Sequence, residues 1–459
     1  MAKLTEISKA NTTRKDTNSW GMSILFVTLA VIAIAVLVIQ LDTFETVAYP
    51  MHELGKPMVV AATNNAANLP SLEKIGSGEL IGPEDIAYDP KSGYVYTGCD
   101  EGWIKRVKLN DSAADTVVEN WVNTGGRPLG ISVADSGDIF VADAFKGLLK
   151  VSVDGELEVL AVEAEGMKLG FPDGVVVAKN GMVYFTDGSY KHGYYDSMPN
   201  LMEGRPDGRF LSYDPLTKQT QVIARDLYFA NGVELSPNQD FVIYCESFMM
   251  RCHRYYLEGE KKGSTDVFVD GLPGYPDNLR YDGEGHYWLA IAWDYSISTH
   301  ITMSYPFVRK ILAFGLKHLQ KMPTLMKFGG VIALDLDGKP IGGYYDDTWT
   351  YTTSGLKIDP KGLQSVDHIC RRRCGPKVCS LQGEDGLFFF LTSTQTLHNT
   401  HNTHTHTHTL SSLSLCLHLP PPPQPSATTS STLKHHRHLS LSYNCSLSFI
   451  YTSFPFSLI

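Results

Sequence analysis

Four short phrases set oxygen-bearing side chains at matching places in the chain. GPEDIAYDP (82–90) carries Glu84 and Asp85, FPDGVVVAK (171–179) carries Asp173, FANGVELSPN (229–238) carries Asn231, and YPDNLRYDG (275–283) carries Asp277 and Asn278. A fifth phrase, RPLGISVAD (127–135), has Leu129 there instead. Carboxylates mixed with amide carbonyls are hard donors, and such a set suits Ca2+, which takes about six to eight oxygens. A carboxylate beside such a cation can also position water for attack on a carbonyl. The simpler reading is that Asp and Asn cap tight turns. Asn231 followed by Gly232 predicts a turn leading into a strand, because both residues tolerate positive φ. Recurrence at matched positions favours a shared centre. The candidate metal ligands are Glu84, Asp173, Asn231, Asp277 and Asn278, with Glu84 and Asp277 as the catalytic carboxylates.

The elements that must position these residues are strands. VYTGCDEGWIKRVKL, IFVADAFKGLLKVSV and FVIYCESFMMRCHRYYL read as pairs of strands joined by short polar turns. The phrases open at Pro83, Pro128, Pro172, Ala230 and Pro276, at intervals of 44 to 58 residues, the period of propeller blades. A sixth opening is expected in TSGLKID (353–359), with no regular strand pair after it. The predicted fold is therefore all-β: a six-bladed β-propeller over residues 71–359, its last blade incomplete, behind an N-terminal transmembrane helix. In a propeller the first strand of each blade runs along the central channel, so the openings converge.

Outside the repeat the composition changes. Residues 1–20 are polar, and residues 21–39 form 19 positions without a charge, enough to cross a bilayer as a helix. Lys and Arg precede this span while Asp42 and Glu45 follow it, which predicts a signal anchor with a cytosolic N-terminus. Residues 40–70 then read as a stalk. The propeller is expected in the lumen of the endomembrane system, in endoplasmic reticulum or vacuole, or outside the cell. Asn110, in the sequon Asn110, Asp111, Ser112, is there an expected glycosylation site. Residues 300–328 carry Arg309, Lys310, Lys317, Lys321 and Lys327 among apolar residues and no acid. They predict a helical lid over the propeller face, with membrane contact as the alternative. Residues 360–459 hold ten of the sixteen histidines, run through Thr-His and Ser-Leu repeats, and read as an aberrant, low-complexity, disordered tail. Cys245 and Cys252 flank a predicted hairpin and are either a disulfide or two buried thiols. The net charge of −10 argues against a nucleic-acid partner and leaves a small molecule and the membrane as the expected partners.

The phrases GPEDIAYD, RPLGI with VADAFKGLL, FPDGV with VYFTD, FANGVELS, YCESFMMRCHRY and PDNLRYDGEGHYW resemble, in number and order, the strictosidine synthase-like family. That family includes the adipocyte plasma-membrane-associated type and is related more distantly to paraoxonases and gluconolactonases. The resemblance implies a six-bladed propeller. It also places the calcium ligands of paraoxonases and gluconolactonases on Glu84, Asn231, Asp277 and Asn278. Three positions depart from the relatives. Pro172 stands where a further calcium-site asparagine would fall, and Leu129 stands where the proposed paraoxonase base would. Ser354 or a neighbour takes the place of the strictosidine synthase glutamate, and a serine hydroxyl alone cannot do general acid–base work. The expected function is thus calcium-assisted hydrolysis of esters or lactones. The alternatives are a propeller that binds a small molecule without turnover, and an amine–aldehyde condensing enzyme.

Overall fold

A computed structural model of the chain describes residues 17–58, 76, 78–108, 116–319, 328–345, 352–359 and 387–393. All of them lie within one compact unit, Met1–His398.

Five antiparallel sheets of four strands follow one another along the chain, each in simple sequence order. The first contains β1 (Ile86–Asp89), β2 (Tyr94–Gly98), β3 (Trp103–Lys108) and β4 (Val117–Asn123). The second contains β5 (Pro128–Val133), β6 (Ile139–Asp143), β7 (Gly147–Val151) and β8 (Leu157–Ala161). A short ribbon, β9 (Glu163–Ala164) with β10 (Met167–Lys168), precedes the third sheet. That sheet contains β11 (Pro172–Val177), β12 (Val183–Asp187), β13 (Gly208–Asp214) and β14 (Gln219–Leu227). The fourth contains β15 (Ala230–Leu235), β16 (Phe241–Glu246), β17 (Arg251–Tyr256) and β18 (Thr265–Val269). The fifth contains β19 (Gly274–Tyr281), β20 (His286–Asp294), β21 (Phe328–Asp335) and β22 (Pro340–Tyr345). This is an all-β propeller with five full blades among the described residues.

Among the described residues the sixth position holds two strands, β23 (Thr352–Asp359) and β24 (Leu387–Ser393), paired antiparallel. β23 lies against β19 and β20 on one side and against β1 on the other. The sequence reading ended the propeller at residue 359; in the structure the apolar run 387–393, from within the expected tail, supplies the partner strand. Asn110 and the rest of the tail lie outside the described residues.

Burial falls from the axis outward. The second strands β6 and β12 are buried along their whole length, while the outer strands β4 and β8 are largely exposed. Blades pack face to face, so an inner strand is covered on both sides and an outer strand only on part of one. The core is accordingly a series of seams between neighbouring blades. Ile104 and Val141 meet in the first seam, Phe140 and Phe185 in the second, and Phe210 and Tyr244 in the third, with ring centroids 4.4 Å apart.

Among the described residues, four α-helices stand outside the sheets: α1 (Thr17–Leu41), α2 (Ser197–Glu203), α3 (Ile297–Ser304) and α4 (Pro306–Leu319). α1 includes a 21-residue span, Gly21–Leu41, apolar enough and long enough to cross a membrane. α3 and α4 form the expected helical insertion, which the sequence places between the fifth and sixth blades and the structure places within the fifth, between β20 and β21; Ser296 caps α3 by accepting from Thr299 N.

Two expectations change here. Residues 42–58 do not stand away from the domain as a stalk. Tyr49 is 4% exposed, its hydroxyl donates to Leu201 O at 2.9 Å, and Phe44, Met51, Leu54 and Met58 pack on the core. A segment rich in small residues elsewhere still docks where its aromatics and methionines find apolar surface. Arg309, counted with the basic face of the insertion, is fully buried. Its guanidinium donates to Met202 O, Thr302 O, Met303 O and Val47 O and sits 4.7 Å from the Tyr49 ring centroid. Desolvation lowers its affinity for a proton, and Tyr49 and Tyr275 partly offset this. Four hydrogen bonds to carbonyls make a buried arginine tolerable.

Candidate functional site

The repeat positions its oxygens through a bulge rather than a turn. In every inner strand that pairs with its neighbour over this phrase, the register shifts at the same point. It shifts between Pro128 and Ile131, Pro172 and Val175, Ala230 and Val233, Pro276 and Leu279, and Thr353 and Leu356. The dipeptides inside these shifts are Leu129-Gly130, Asp173-Gly174, Asn231-Gly232, Asp277-Asn278 and Ser354-Gly355. A bulge leaves its residues out of the ladder and redirects their side chains, so each blade delivers one such position to the axis. The turn expected at Asn231 and Gly232 is therefore a β-bulge within β15. Its glycine is required by crowding. A Cβ on Gly232 would stand 2.2 Å from Asp277 O, one on Gly174 2.7 Å from Asn231 O, and one on Gly130 2.2 Å from Asp173 O. Neighbouring inner strands touch through these glycines.

The five sequence-derived candidates come together. Asn278 Nδ2 donates to Glu84 Oε1 at 2.7 Å, and the Asn231 side chain hydrogen-bonds Asp277. Glu84, Asp173, Asn231 and Asn278 are all buried, and Asp277 is half-buried. Burial first, and then the neighbouring Glu84, Asp277 and Asp85 charges, push the Asp173 carboxyl well above the usual carboxylate range. Asp277 is raised likewise by burial and by Glu84 and Asp85. Three acceptors face no donor: Asn231 Oδ1, Asp277 Oδ1 and Asn278 Oδ1 are buried without a hydrogen bond. Like charges crowded with orphan acceptors are costly unless a cation relieves them. The chemistry of the donor set therefore fits a hard cation. Among the described residues no group of three or more His, Cys, Asp and Glu could hold a metal by itself; the donors here are carboxylate and amide mixed.

Asp85 has a different task from its neighbour Glu84. Its carboxylate accepts from Ile86 N at 2.8 Å and Ile131 N at 3.0 Å and pairs with the buried Arg280 guanidinium. Arg280 also donates to Ile131 O, Val233 O and Leu279 O, so one ion pair ties the first, second, fourth and fifth blades. Burial nonetheless leaves the Asp85 carboxyl raised, with Arg280 pulling it down. A cavity of about 300 Å3 is lined by the far ends of the inner strands, with Arg280 and Glu234, and by none of the five candidates.

Around the oxygens runs an aromatic arc. Phe171, Phe229 and Tyr275 stand two residues before Asp173, Asn231 and Asp277. Ring centroids are 5.7 Å apart for Tyr194–Phe171, 5.1 Å for Phe171–Phe229, 5.0 Å for Phe229–Phe248, 5.8 Å for Phe248–Tyr275 and 6.1 Å for Tyr275–Trp293. Met303 of α3 and Ala313 of α4 share this cluster, so the helices cover it. On the first and second blades the arc gives way to Arg127, which pairs with Asp100 at 3.0 Å beside the Tyr194 ring. The aromatic two residues ahead of each oxygen was legible in FPD, FAN and YPD, and sequence reasoning passed over it.

A second set was also missed. Asp143, Asp187 and Glu246 end the second strands of three blades and accept from Arg127 N at 2.9 Å, Phe171 N at 2.7 Å and Tyr228 N at 2.8 Å. Each staples the chain entering the inner strand, and so holds the bulge at its height. Cys245 and Cys252, opposite one another on β16 and β17, form a disulfide.

These features define a β-propeller with a carboxylate–amide centre under a helical cover. Residues 173–260 match the strictosidine synthase family model and residues 62–107 the model for the N-terminal part of strictosidine synthase-like proteins. Protein STRICTOSIDINE SYNTHASE-LIKE 6 of Arabidopsis thaliana is 46% identical over 337 residues, 73% of this chain and 90% of that protein. Adipocyte plasma membrane-associated protein of Bos taurus is 35% identical over 300 residues, 61% of this chain and 70% of that protein. The chain belongs to the strictosidine synthase-like family. Among solved structures, a gluconolactonase of Xanthomonas campestris is similar with a TM-score of 0.44 at 16% identity, covering 61% of this chain and 80% of that one.

Proposed function

We propose that the protein is a membrane-anchored hydrolase of esters or lactones that works with Ca2+ at the propeller axis. The observation that carries the reading is the set of three buried oxygens without hydrogen bonds, Asn231 Oδ1, Asp277 Oδ1 and Asn278 Oδ1, beside Glu84 and Asp173. Glu84, Asp173, Asn231, Asp277 and Asn278 would hold the cation, which when bound polarises a carbonyl. Asp277, half-buried beside these donors, is placed to orient water and accept its proton. Glu84 is kept in place by Asn278 and shares that work. The aromatic arc gives an apolar wall for an aryl or alkyl group. For topology, α1 serves as a signal anchor that leaves the propeller on the lumenal or extracellular side, a reading supported by the Cys245–Cys252 bond, which persists in oxidising compartments.

The test is a panel of aryl esters and lactones assayed on the full chain in detergent, with calcium or with chelator. Calcium-dependent turnover abolished by Asp277→Asn supports the proposal. Calcium binding without turnover of any substrate, together with saturable retention of a small molecule, would show a binding propeller instead.

A further inference from the structure

We infer that the outer face of α3 and α4 rests on the headgroup layer of the bilayer that α1 enters, so that the cover of the propeller is held at the membrane surface. This rests on the anchor reading and goes beyond it, because an anchor alone would leave the propeller free on a tether.

Three observations meet here. The first is a set of ties at the end of α1. Lys317 Nζ pairs with Asp42 Oδ2 at 3.0 Å, Lys310 Nζ donates to Gln40 O at 3.4 Å, and His318 Nε2 lies 3.5 Å from Asp42 Oδ2. Asp42 is the residue after Leu41, where the apolar span stops. α4 is thereby fixed within a side chain's length of the membrane boundary.

The second is apolar exposure. Ile297 is 81% exposed, Ile301 41%, Tyr305 58%, Phe307 43% and Ile311 39%. Spacings of four put the first three on one side of α3 and its exit, and the last two on one side of α4. The opposite sides are already used: Met303, Arg309 and Ala313 are buried. Five large apolar side chains facing water on two short helices form a patch of the kind that meets a partner or a lipid surface.

The third is charge. Between Ile297 and Leu319 there is no Asp or Glu, while Lys310 and Lys317 border the patch. Apolar side chains flanked by lysines fit an interface bearing anionic lipid, where each lysine near the surface adds attraction. Continuity with α1 selects the bilayer over a second copy of the chain.

The experiment uses the full chain reconstituted in vesicles of phosphatidylcholine and phosphatidylserine with a trace of lipid carrying a diazirine on its acyl chain. Peptides are read by mass spectrometry after irradiation. Labelling is expected on α1 and on α3–α4, several-fold above the loop bearing Leu216, an apolar residue 91% exposed but remote from α1 in sequence. The double variant Phe307→Glu, Ile311→Glu should lose label on α3–α4 and keep it on α1, with an unchanged melting temperature. Label on α1 with α3–α4 at the Leu216 level overturns the inference and leaves the anchor standing. An unlabelled α1 overturns the anchor reading, and this inference with it. Crosslinking of α3–α4 to a second copy, without lipid label, assigns the face to a subunit contact and also overturns it.

Discussion

Asn278 donates its side-chain amide to Glu84 at 2.7 Å, joining positions 194 residues apart across the propeller axis. The bond orients the amide so that Asn278 Oδ1 and Asn231 Oδ1 are left as acceptors at the centre. Asn231→Ala removes one of them. With wild type, calcium at a hundred times its dissociation constant should stabilise the fold by about 2.7 kcal/mol, because it binds only the folded state. Thermal melts with calcium and with chelator should separate for wild type and nearly coincide for Asn231→Ala. Coincident wild-type curves would sink the calcium centre.

The Arg280–Asp85 pair is a structural joint and not part of the chemistry. Arg280→Met leaves a buried carboxylate uncompensated and should cost about 3–5 kcal/mol in denaturant unfolding. Adding Asp85→Asn should recover part of that loss, because the uncompensated charge is removed. A cost below about 1 kcal/mol for Arg280→Met would contradict the role assigned from its contacts.

Glu246 gives a pH dependence with a definite sign. Burial pushes its carboxyl up, but hydrogen bonds from His253 and Arg251, the Arg251 charge and the Tyr228 N–H bring it below the usual range of a glutamate. A carboxyl lowered in the folded state adds stability that is present above the unfolded value and lost as pH falls through the folded one. Wild type should therefore lose stability relative to Glu246→Gln as pH drops below about 4.5. Parallel stability–pH curves for the two proteins would show that the group contributes nothing.

The Cys245–Cys252 bond closes a short loop, and its removal by Cys245→Ala with Cys252→Ala should cost roughly 2 kcal/mol on the loop-entropy account. Alkylation under denaturing conditions should leave these two thiols blocked until reductant is added. Cys99, buried and with its thiol pushed up to about 11 by desolvation, should be alkylated only after unfolding. Free Cys245 in freshly purified protein would place the propeller in a reducing compartment.

What the sequence determined by itself was the period and the matched places of its oxygen-bearing residues. Strand alternation and phrases recurring every 44 to 58 residues implied blades, and the matched places of Glu84, Asp173, Asn231, Asp277 and Asn278 implied one centre. These follow from local pattern, and a closed ring of repeats converts equal positions along the chain into neighbours around an axis. Only the tertiary structure decided what each position does there. Glu84 and Asp85 are adjacent in sequence just ahead of β1, yet one accepts from Asn278 at the centre and the other is locked to Arg280. Gly232 looked like a turn residue and proves to be the place where Asp277 O leaves no room for a Cβ. Arg309 looked like surface charge and lies buried among carbonyls from α2, α3 and the segment after α1. The contacts of Glu84 with Asn278, of Asp85 with Arg280, and of Arg309 with Met202 and Val47 join residues more than a hundred positions apart, and no window of local sequence contains both partners.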